Sequence, residues 1–345
     1  MDRRTFSQGI AGLVAAAGLG AQGAPSPVSR LLKPPRLKPG SLVGLVEPSG
    51  VVDDAMIEKG VRNLELLGLR VKLSPNLRSV HGGYAGTVNQ RLADFHGMFL
   101  DREVEGLWIL RGGSGGAHLL PHLDYELIRS HPKAVVGYSD TTAIHLGLLA
   151  GAGLVSFHGP VASSTFSEYN IANLRAVLME PQPTRTFEEA RENVEKAKDQ
   201  RQFAPRTFRA GTAEGRLVGG NLAVLSAIVG TPYAAQARGR LLFLEEIREA
   251  PYRVDRMLEQ LRQSGALTTA AGVMLGVFMR CDPPDNEPSL SLQEVLEGQF
   301  KASKVPAAYG FSFGHIAHQM TLPLGIRARM DAAERTLTLL EPAVN

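Results

Sequence analysis

The sequence contains one cysteine, Cys281, among 345 residues. It can therefore form no intrachain disulfide. A lone thiol beside Asp282 could act as a nucleophile, but we interpret it as an incidental cysteine in a loop or at a strand end. The nine histidines are spread along the chain, and no CxxC, HExxH or clustered His/Cys pattern indicates a metal site. We expect neither a metal nor another cofactor.

A strong charge of either sign is also missing. The formal net charge is +3, and the basic residues are scattered, so the sequence indicates neither nucleic acid nor an anionic membrane as a partner. Outside the N-terminus, no apolar run reaches the length and purity of a membrane-spanning helix. The apolar share of 44% is that of an ordinary globular enzyme, and the length suits two domains.

The N-terminal residues are typical of an export signal. Arg3 and Arg4 form a twin-arginine pair, an apolar Gly/Ala-rich run follows at 9–21, and small residues stand at 22–24. This pattern predicts a twin-arginine signal peptide over residues 1–24 and a periplasmic location. The alternative is a frayed first helix, which we rank below the signal.

Strand-like and helix-like segments alternate through the first half of the chain. The short apolar runs lie at 41–50, 70–73, 106–113, 134–140 and 153–159. Apolar residues at helical spacing lie at 53–68, 88–100 and 141–153. This alternation predicts an N-terminal α/β domain over residues 40–180, with a parallel sheet of flavodoxin or Rossmann type. Such sheets bind ligands at the carboxyl ends of their strands.

The second half has a different pattern. Residues 181–206 are polar, charged and short of apolar side chains, which predicts a link between domains. Residues 207–345 hold many short β-like runs, interrupted by helical patterns at 221–229 and 252–264. We expect a β-rich, small barrel-like C-terminal domain.

Ser139 stands in the segment Gly-Tyr-Ser-Asp-Thr, between an apolar strand and a helix. A serine at such a corner is lifted off the sheet and meets the helix N-terminus, where free amides favour a developing negative charge. The arrangement resembles the nucleophile elbow found in some hydrolases, with Thr141 where glycine usually stands. The alternative is an ordinary helix N-cap, which this segment alone slightly favours.

A glycine-rich loop, Arg111-Gly112-Gly113-Ser114-Gly115-Gly116, follows the third predicted strand. Successive glycines let backbone N–H groups approach a ligand closely. Beside a nucleophile they would form an oxyanion hole, and beside a nucleotide a phosphate cradle. The loop lacks the ending of a P-loop and the spacing of a dinucleotide fingerprint. A plain tight turn is the alternative, and Ser114 is a rival nucleophile.

The second half offers an acid and a base. Glu245 and Glu246 end a buried-looking strand, where a carboxylate could orient a histidine or be merely solvated. His315 follows an aromatic, glycine-flanked strand, and His318 competes with it. Serine, glutamate and histidine would follow one another in a known triad order, although order only permits a triad.

Taken together, these segments resemble the serine LD-carboxypeptidases, also called muramoyl-tetrapeptide carboxypeptidases. The resemblance extends from about Gly40 to Pro342, and several long motifs occur in the right order. The motifs are EPSG (47–50), NQRLADFHGMFLD (89–101), LRGGSGG (110–116), LLPHLDY (119–125), PKAVVGYSDTTAIHL (132–146), FHGP (157–160), GRLVGGNLAVL (215–225), LFLEEIREAPYRVDRML (242–258) and GFSFGHIAHQMTLPLG (310–325).

The resemblance implies two domains of the predicted kinds, an active site between them and a homodimer. It implies a serine carboxypeptidase that releases terminal D-alanine from peptidoglycan tetrapeptides through an acyl-enzyme. The implied triad is Ser139, Glu245 rather than Glu246, and His315. An amidase or esterase on the same scaffold is the alternative, and a non-catalytic binding protein for wall peptides is a third.

The resemblance also implies an oxyanion hole made by the backbone N–H of Asp140 and that of Gly112 or Gly113. Arg111 could hold the free terminal carboxylate through its fork, although a structural salt bridge is commoner for arginine. The sequence departs from the family where Glu47 replaces the usual alanine, and also at Ser114 and His318, which leaves the exact substrate preference open. Relatives that cleave peptidyl-nucleotide antibiotics work in the cytoplasm, so the predicted export favours a wall substrate.

Overall fold

The computed structural model describes residues 30–283 and 288–345, so the predicted signal at 1–24 lies outside the described residues. The strands are β1 (Leu42–Val46), β2 (Arg70–Leu73), β3 (Val104–Ile109), β4 (Ala134–Gly137), β5 (Ser156–His158), β6 (Arg185–Phe187), β7 (Arg206–Arg209), β8 (Thr212–Asn221), β9 (Leu241–Glu245), β10 (Gly272–Val277), β11 (Ala307–Gly314), β12 (Leu322–Leu324), β13 (Arg327–Asp331) and β14 (Thr336–Leu339).

The helices are α1 (Asp54–Leu66), α2 (Val88–Leu100), α3 (Tyr125–Ser130), α4 (Thr141–Gly147), α5 (Glu168–Leu178), α6 (Arg191–Lys196), α7 (Leu222–Ala227), α8 (Pro251–Gln263), α9 (Ala266–Thr269) and α10 (Leu292–Phe300). In the first half of the chain, α1 and α2 match the predicted segments 53–68 and 88–100, and α4 begins as predicted but ends at Gly147, whereas α3 and α5 were not predicted. Within the described ranges, no helix combines the length and the apolar character needed to cross a membrane.

The first sheet has the strand order β12-β5-β4-β3-β1-β2. Strands β1 to β5 pair in parallel, which confirms the predicted α/β domain. All four residues of β4 are buried, as expected for a strand in a parallel sheet that is covered on both faces. Strand β12 comes from the second half of the chain and pairs antiparallel with β5, with Leu322 opposite His158.

The second sheet has eight strands in the order β6-β14-β13-β8-β9-β10-β11-β7. The central strands β8, β9, β10 and β11 pair in parallel, and the flanking strands pair antiparallel. The prediction of a β-rich second half is confirmed. Strands β6 and β7 lie at opposite edges, so over the described residues this sheet is open, whereas a barrel-like arrangement was predicted. Strand β6 and helix α6 lie inside the predicted linker, 181–206, and β6 pairs with β14.

The two sheets share one hydrophobic core, which contains the fully buried Phe157 of β5 and Phe243 of β9. They also meet where α4 packs against the end of β8. The backbone N–H of Asn221 donates to Oγ1 of Thr142 over 2.9 Å, and a Cβ at Gly220 would lie only 2.4 Å from that oxygen. Glycine is therefore needed for the close approach that brings the first turn of α4 to the second sheet.

Candidate active site

Ser139 lies at the corner between β4 and α4 in a strained backbone conformation. Its φ is +65°, in the left-handed region, which costs a non-glycine residue about 1–3 kcal/mol and is common at functional sites. Asp140 is the residue directly before α4, and its side chain makes no capping hydrogen bond. The N-cap position of α4 is therefore that of Asp140. Ser139 lies one residue earlier, at the sharp corner between β4 and α4, and is not the N-cap.

The elbow brings Ser139 to a histidine and a glutamate from the second half of the chain. Nε2 of His315 lies 3.0 Å from Oγ of Ser139. Nδ1 of the same ring lies 2.7 Å from Oε2 of Glu245. The structure thus joins the three predicted triad residues in one chain of hydrogen bonds, in the geometry of a nucleophile, a base and an orienting carboxylate.

The competing residues lie elsewhere. Nδ1 of His318 is 3.9 Å from Oε2 of Glu192. Glu246 accepts hydrogen bonds from the backbone N–H of Ala223 and of Ile247, both over 2.7 Å, and so stabilises the start of α7. Ser114 is exposed on the glycine loop. None of these three residues takes part in the hydrogen bonds that join Ser139, His315 and Glu245.

Two strands of the second sheet, β9 and β11 on either side of β10, place the glutamate and the histidine. Glu245 is the last residue of β9 and is completely buried, and His315 directly follows β11. Gly314 has a φ of +115°, and a Cβ there would lie 3.1 Å from Cβ of Glu245. A glycine at the end of β11 therefore lets the chain turn closely over the carboxylate.

The glycine loop packs against the nucleophile. A Cβ at Gly112 would lie 2.9 Å from both Cβ and Oγ of Ser139 and 3.7 Å from the backbone nitrogen of Asp140. Gly113 has a φ of +145°, and a Cβ there would lie 2.9 Å from Gly50. Gly112 and the backbone nitrogen of Asp140 thus lie close to Ser139, as the predicted oxyanion hole requires, and the role of their N–H groups stays a prediction.

Two family models match the chain, the LD-carboxypeptidase N-terminal domain over residues 43–159 and the LD-carboxypeptidase C-terminal domain over residues 214–330. The first range contains Ser139, and the second contains Glu245 and His315. The chain belongs to the LD-carboxypeptidase family. It is therefore a serine-type carboxypeptidase, and the resemblance derived from the sequence motifs is confirmed.

Individual proteins are similar to this chain over most of its length. A probable murein peptide carboxypeptidase of Bacillus subtilis (strain 168) is 39% identical over 313 residues, which are 89% of this chain and 94% of the relative. The microcin C7 self-immunity protein MccF of Escherichia coli is 27% identical over 316 residues, 85% of this chain and 90% of that protein. The crystal structure of muramoyltetrapeptide carboxypeptidase from Oxalobacter formigenes superposes with a TM-score of 0.73 at 28% identity, covering 86% of this chain and 97% of that one.

Burial and the charge of the partner together set the pKa values of Glu245 and His315 in this LD-carboxypeptidase. Burial alone would raise the pKa of the Glu245 carboxyl, but the charge and hydrogen bond of His315 hold that pKa below its ordinary value. Burial alone would lower the pKa of His315, but the Glu245 carboxylate outweighs it and raises that pKa above its ordinary value. Each group thus favours the charged form of the other, which is the arrangement expected of a base and the carboxylate that orients it.

The raised pKa of His315 predicts a specific pH dependence. His315 must be neutral to accept the Ser139 proton, so we expect kcat/KM to fall as the pH drops through a midpoint above about 6.5, the ordinary histidine value. The measurement is kcat/KM from about pH 5 to about pH 9, with the fraction of folded protein followed at each pH. An acidic limb centred below the ordinary value, with the fold intact, would show that His315 is not the group that titrates.

Arg111 lies beside the site, with one N–H of its guanidinium already engaged. Its Nη1 donates to the carbonyl oxygen of Val51 over 2.7 Å, and its backbone N–H donates to the Glu47 carboxylate over 2.8 Å. Arg111 is therefore tied to the segment 47–51 rather than projecting freely. The role of Arg111 as the group that binds the terminal carboxylate of a substrate stays a prediction.

The structure adds two histidines that the sequence reasoning did not single out. His145 of α4 is completely buried, and its Nε2 lies 2.8 Å from the carbonyl oxygen of Gly137, just before the elbow. His158 is also completely buried, and neither ring nitrogen has a hydrogen-bond partner among the described residues. Burial lowers the pKa of His158 to about 4, so this ring is neutral. His145 belongs to the motif PKAVVGYSDTTAIHL and His158 to FHGP, so the motifs held the only signal for them.

The described residues contain no group of three or more His, Cys, Asp or Glu side chains placed to hold a metal ion. Cys281 is buried, and this burial raises the pKa of its thiol to about 12. The thiol therefore stays protonated near neutral pH, which does not suit a nucleophile.

Proposed function

We propose that this LD-carboxypeptidase removes terminal D-alanine from peptidoglycan tetrapeptides through an acyl-enzyme on Ser139. The observation that carries the proposal is the hydrogen-bonded chain from Ser139 through His315 to Glu245, with distances of 3.0 Å and 2.7 Å. The names of two similar proteins, murein peptide carboxypeptidase and muramoyltetrapeptide carboxypeptidase, support a wall peptide as the substrate.

In the proposed reaction, His315 takes the hydroxyl proton of Ser139 while the serine oxygen attacks the carbonyl before D-alanine. The backbone N–H groups of Gly112 and Asp140 stabilise the oxyanion, and one such donor typically contributes about 10²- to 10³-fold to kcat. Collapse of the tetrahedral intermediate expels D-alanine, which leaves with the proton from His315. Water, deprotonated by His315, then attacks the acyl-enzyme, and the proton passes from His315 to Oγ of Ser139 as the shortened peptide leaves.

Two further parts of the proposal concern recognition and location. A carboxypeptidase must hold the free carboxylate of its substrate, and the guanidinium of Arg111 next to the glycine loop is the group that we propose for it. The twin-arginine pair at Arg3 and Arg4 and the apolar run after it support export to the periplasm. A homodimer stays a prediction that comes from the family resemblance.

The deciding experiment incubates the purified protein with disaccharide tetrapeptides and follows, by mass, the loss of one alanine. A matched tetrapeptide that ends in L-alanine is the control for stereochemistry, and only the D-alanine peptide is expected to be cleaved. Similarity to the MccF self-immunity protein supplies the rival substrate class, so a peptidyl-nucleotide conjugate is tested in parallel. Covalent labelling of Ser139 by a broad serine reagent without cleavage of the wall peptide would favour an amidase or esterase.

A further inference from the structure

A group of buried polar side chains lies directly behind the glycine loop. We call Glu47, Ser49, Arg91 and Asp140 the clamp cluster. Their exposed fractions are 4%, 0%, 2% and 6%. Burying charged groups is costly unless they are paired and hydrogen-bonded, so the bonds that compensate this cost indicate what the cluster holds in place.

The two carboxylates of the clamp cluster bind the two ends of the glycine loop. Oε2 of Glu47 accepts the backbone N–H of Arg111 over 2.8 Å, and Oδ2 of Asp140 accepts the backbone N–H of Gly116 over 2.7 Å. Ser49 connects the carboxylates, because its backbone N–H donates to Oε1 of Glu47 over 2.8 Å and its hydroxyl donates to Oδ2 of Asp140 over 2.6 Å.

Arg91 completes the cluster from α2. Its Nη1 donates to the carbonyl oxygens of Pro48, over 2.5 Å, and of Gly115, over 3.0 Å. Its guanidinium also lies 5.2 Å from the centre of the Tyr84 ring. The buried cation thus offsets the two carboxylates and adds a third hydrogen bond to the glycine loop.

We propose that Glu47 is a positioning residue that holds the glycine loop against Ser139, so that the Gly112 amide points at the oxyanion. The inference rests on the proposed acyl transfer at Ser139. Gly112 directly follows Arg111, whose backbone N–H donates to Glu47. A Cβ at Gly112 would lie only 2.9 Å from Oγ of Ser139, so a shift of the loop would change the surroundings of the nucleophile. An oxyanion donor is effective only within a few tenths of an ångström of its ideal distance, and a misplacement of about 1 Å can cost about 10²-fold in rate.

The groups that face Glu47 affect how firmly it can hold the loop. Burial raises the pKa of Glu47 well above its ordinary value, and the nearby Asp140 carboxylate adds to the rise. The backbone N–H groups of Arg111 and Ser49 and the charge of Arg111 oppose it, and Arg91 is the other cation close enough to interact. Because two N–H groups need two acceptor oxygens, the ionised carboxylate makes both bonds and the protonated form makes only one of them well.

The test compares Glu47→Ala and Glu47→Gln with the wild-type protein. Alanine removes both hydrogen bonds, and glutamine keeps one acceptor oxygen. We expect kcat for D-alanine release to fall about 10²-fold in Glu47→Ala and by a smaller factor in Glu47→Gln, with KM nearly unchanged in both. The matched control is Asp94→Asn, since Asp94 is 6% exposed and accepts a backbone N–H from Asn76 away from the glycine loop. We expect this control to keep its kcat.

A second readout probes the oxyanion geometry without the peptide. Phenylboronic acid forms a tetrahedral adduct on a reactive serine, so its affinity reports the oxyanion hole. We expect that affinity to fall in Glu47→Ala by a factor similar to the fall in kcat. Equal affinity in Glu47→Ala and the wild type, or a loss of kcat no larger than in Asp94→Asn, would overturn the inference. If Glu47→Ala does not fold, Glu47→Gln is judged by the same two readouts. A wild-type protein that binds the boronic acid but releases no D-alanine contradicts the proposed function alone.

Discussion

Replacing Ser139 by alanine is expected to lower kcat for D-alanine release by about 10⁴-fold or more. The His315→Ala substitution is expected to lower kcat by a similar factor. The reason is that the serine oxygen forms the covalent bond and the imidazole, 3.0 Å away, receives its proton. When two residues act as such a unit, removing either one abolishes nearly all of the rate enhancement that they provide together. The double variant should therefore be little worse than either single variant.

These variants are assayed by the D-alanine released per enzyme, with thermal unfolding as the control for the fold. Ser139→Ala removes only the hydroxyl oxygen and leaves the backbone at its positive φ. The unfolding temperature should therefore change little. Ser114→Ala removes the exposed rival hydroxyl and should retain turnover far above that of Ser139→Ala. Near-normal release by Ser139→Ala or by His315→Ala would refute the assignment of the nucleophile or of the base.

The second large effect is expected for Glu245→Gln, with a loss of about 10⁴-fold in kcat at neutral pH. The amide would present an N–H to Nδ1 of His315 and favour the tautomer whose proton sits on Nε2. That nitrogen could then no longer accept the proton of Ser139. Removing the anion also removes the interaction that raises the pKa of His315, so the acidic limb of any remaining activity should move to lower pH.

Glu246→Gln is the matched control for this variant. Glu246 is buried next to Glu245, and burial together with the neighbouring carboxylate raises its pKa to about 7. Its oxygens accept backbone N–H groups of Ala223 and Ile247, so the amide should cost some stability and little kcat. Turnover and unfolding temperature are measured for both variants. An equal loss of kcat in Glu246→Gln would mean that the orienting carboxylate has been assigned to the wrong residue.

Local patterns predicted much of the first domain well. Helix α1 begins after Asp53, whose side chain accepts the Met56 backbone N–H over 2.8 Å, and α2 begins at a capping box formed by Thr87 and Gln90. Such start signals lie within a few residues of the helix they begin. The segments predicted from apolar spacing at 53–68 and 88–100 match α1 and α2 closely, whereas α3 and α5 were not predicted. The strand-to-helix corner at Ser139 also follows from a local pattern.

Patterns of the same kind could not assign every strand to its sheet. All of residues 207–345, including the run 321–331, were predicted to belong to the β-rich second domain. Instead, Gly325 turns the chain with a φ of +91°. Strand β12 before it joins the first sheet, and β13 after it joins the second. Edge pairing of this kind depends on which sheet offers an open strand, and no residue within the run carries that information.

The amino-acid order alone determined the family, the alternation of strands and helices, and the short list of serine, glutamate and histidine candidates. Only the tertiary structure decided which of them meet, because Ser139 and His315 are 176 residues apart in the chain and approach only when the two sheets pack on a common core. The same holds for Glu47 and Arg111, 64 residues apart. A hydrogen bond acts over about 3 Å, so such contacts follow from the packing of whole elements and not from any local pattern.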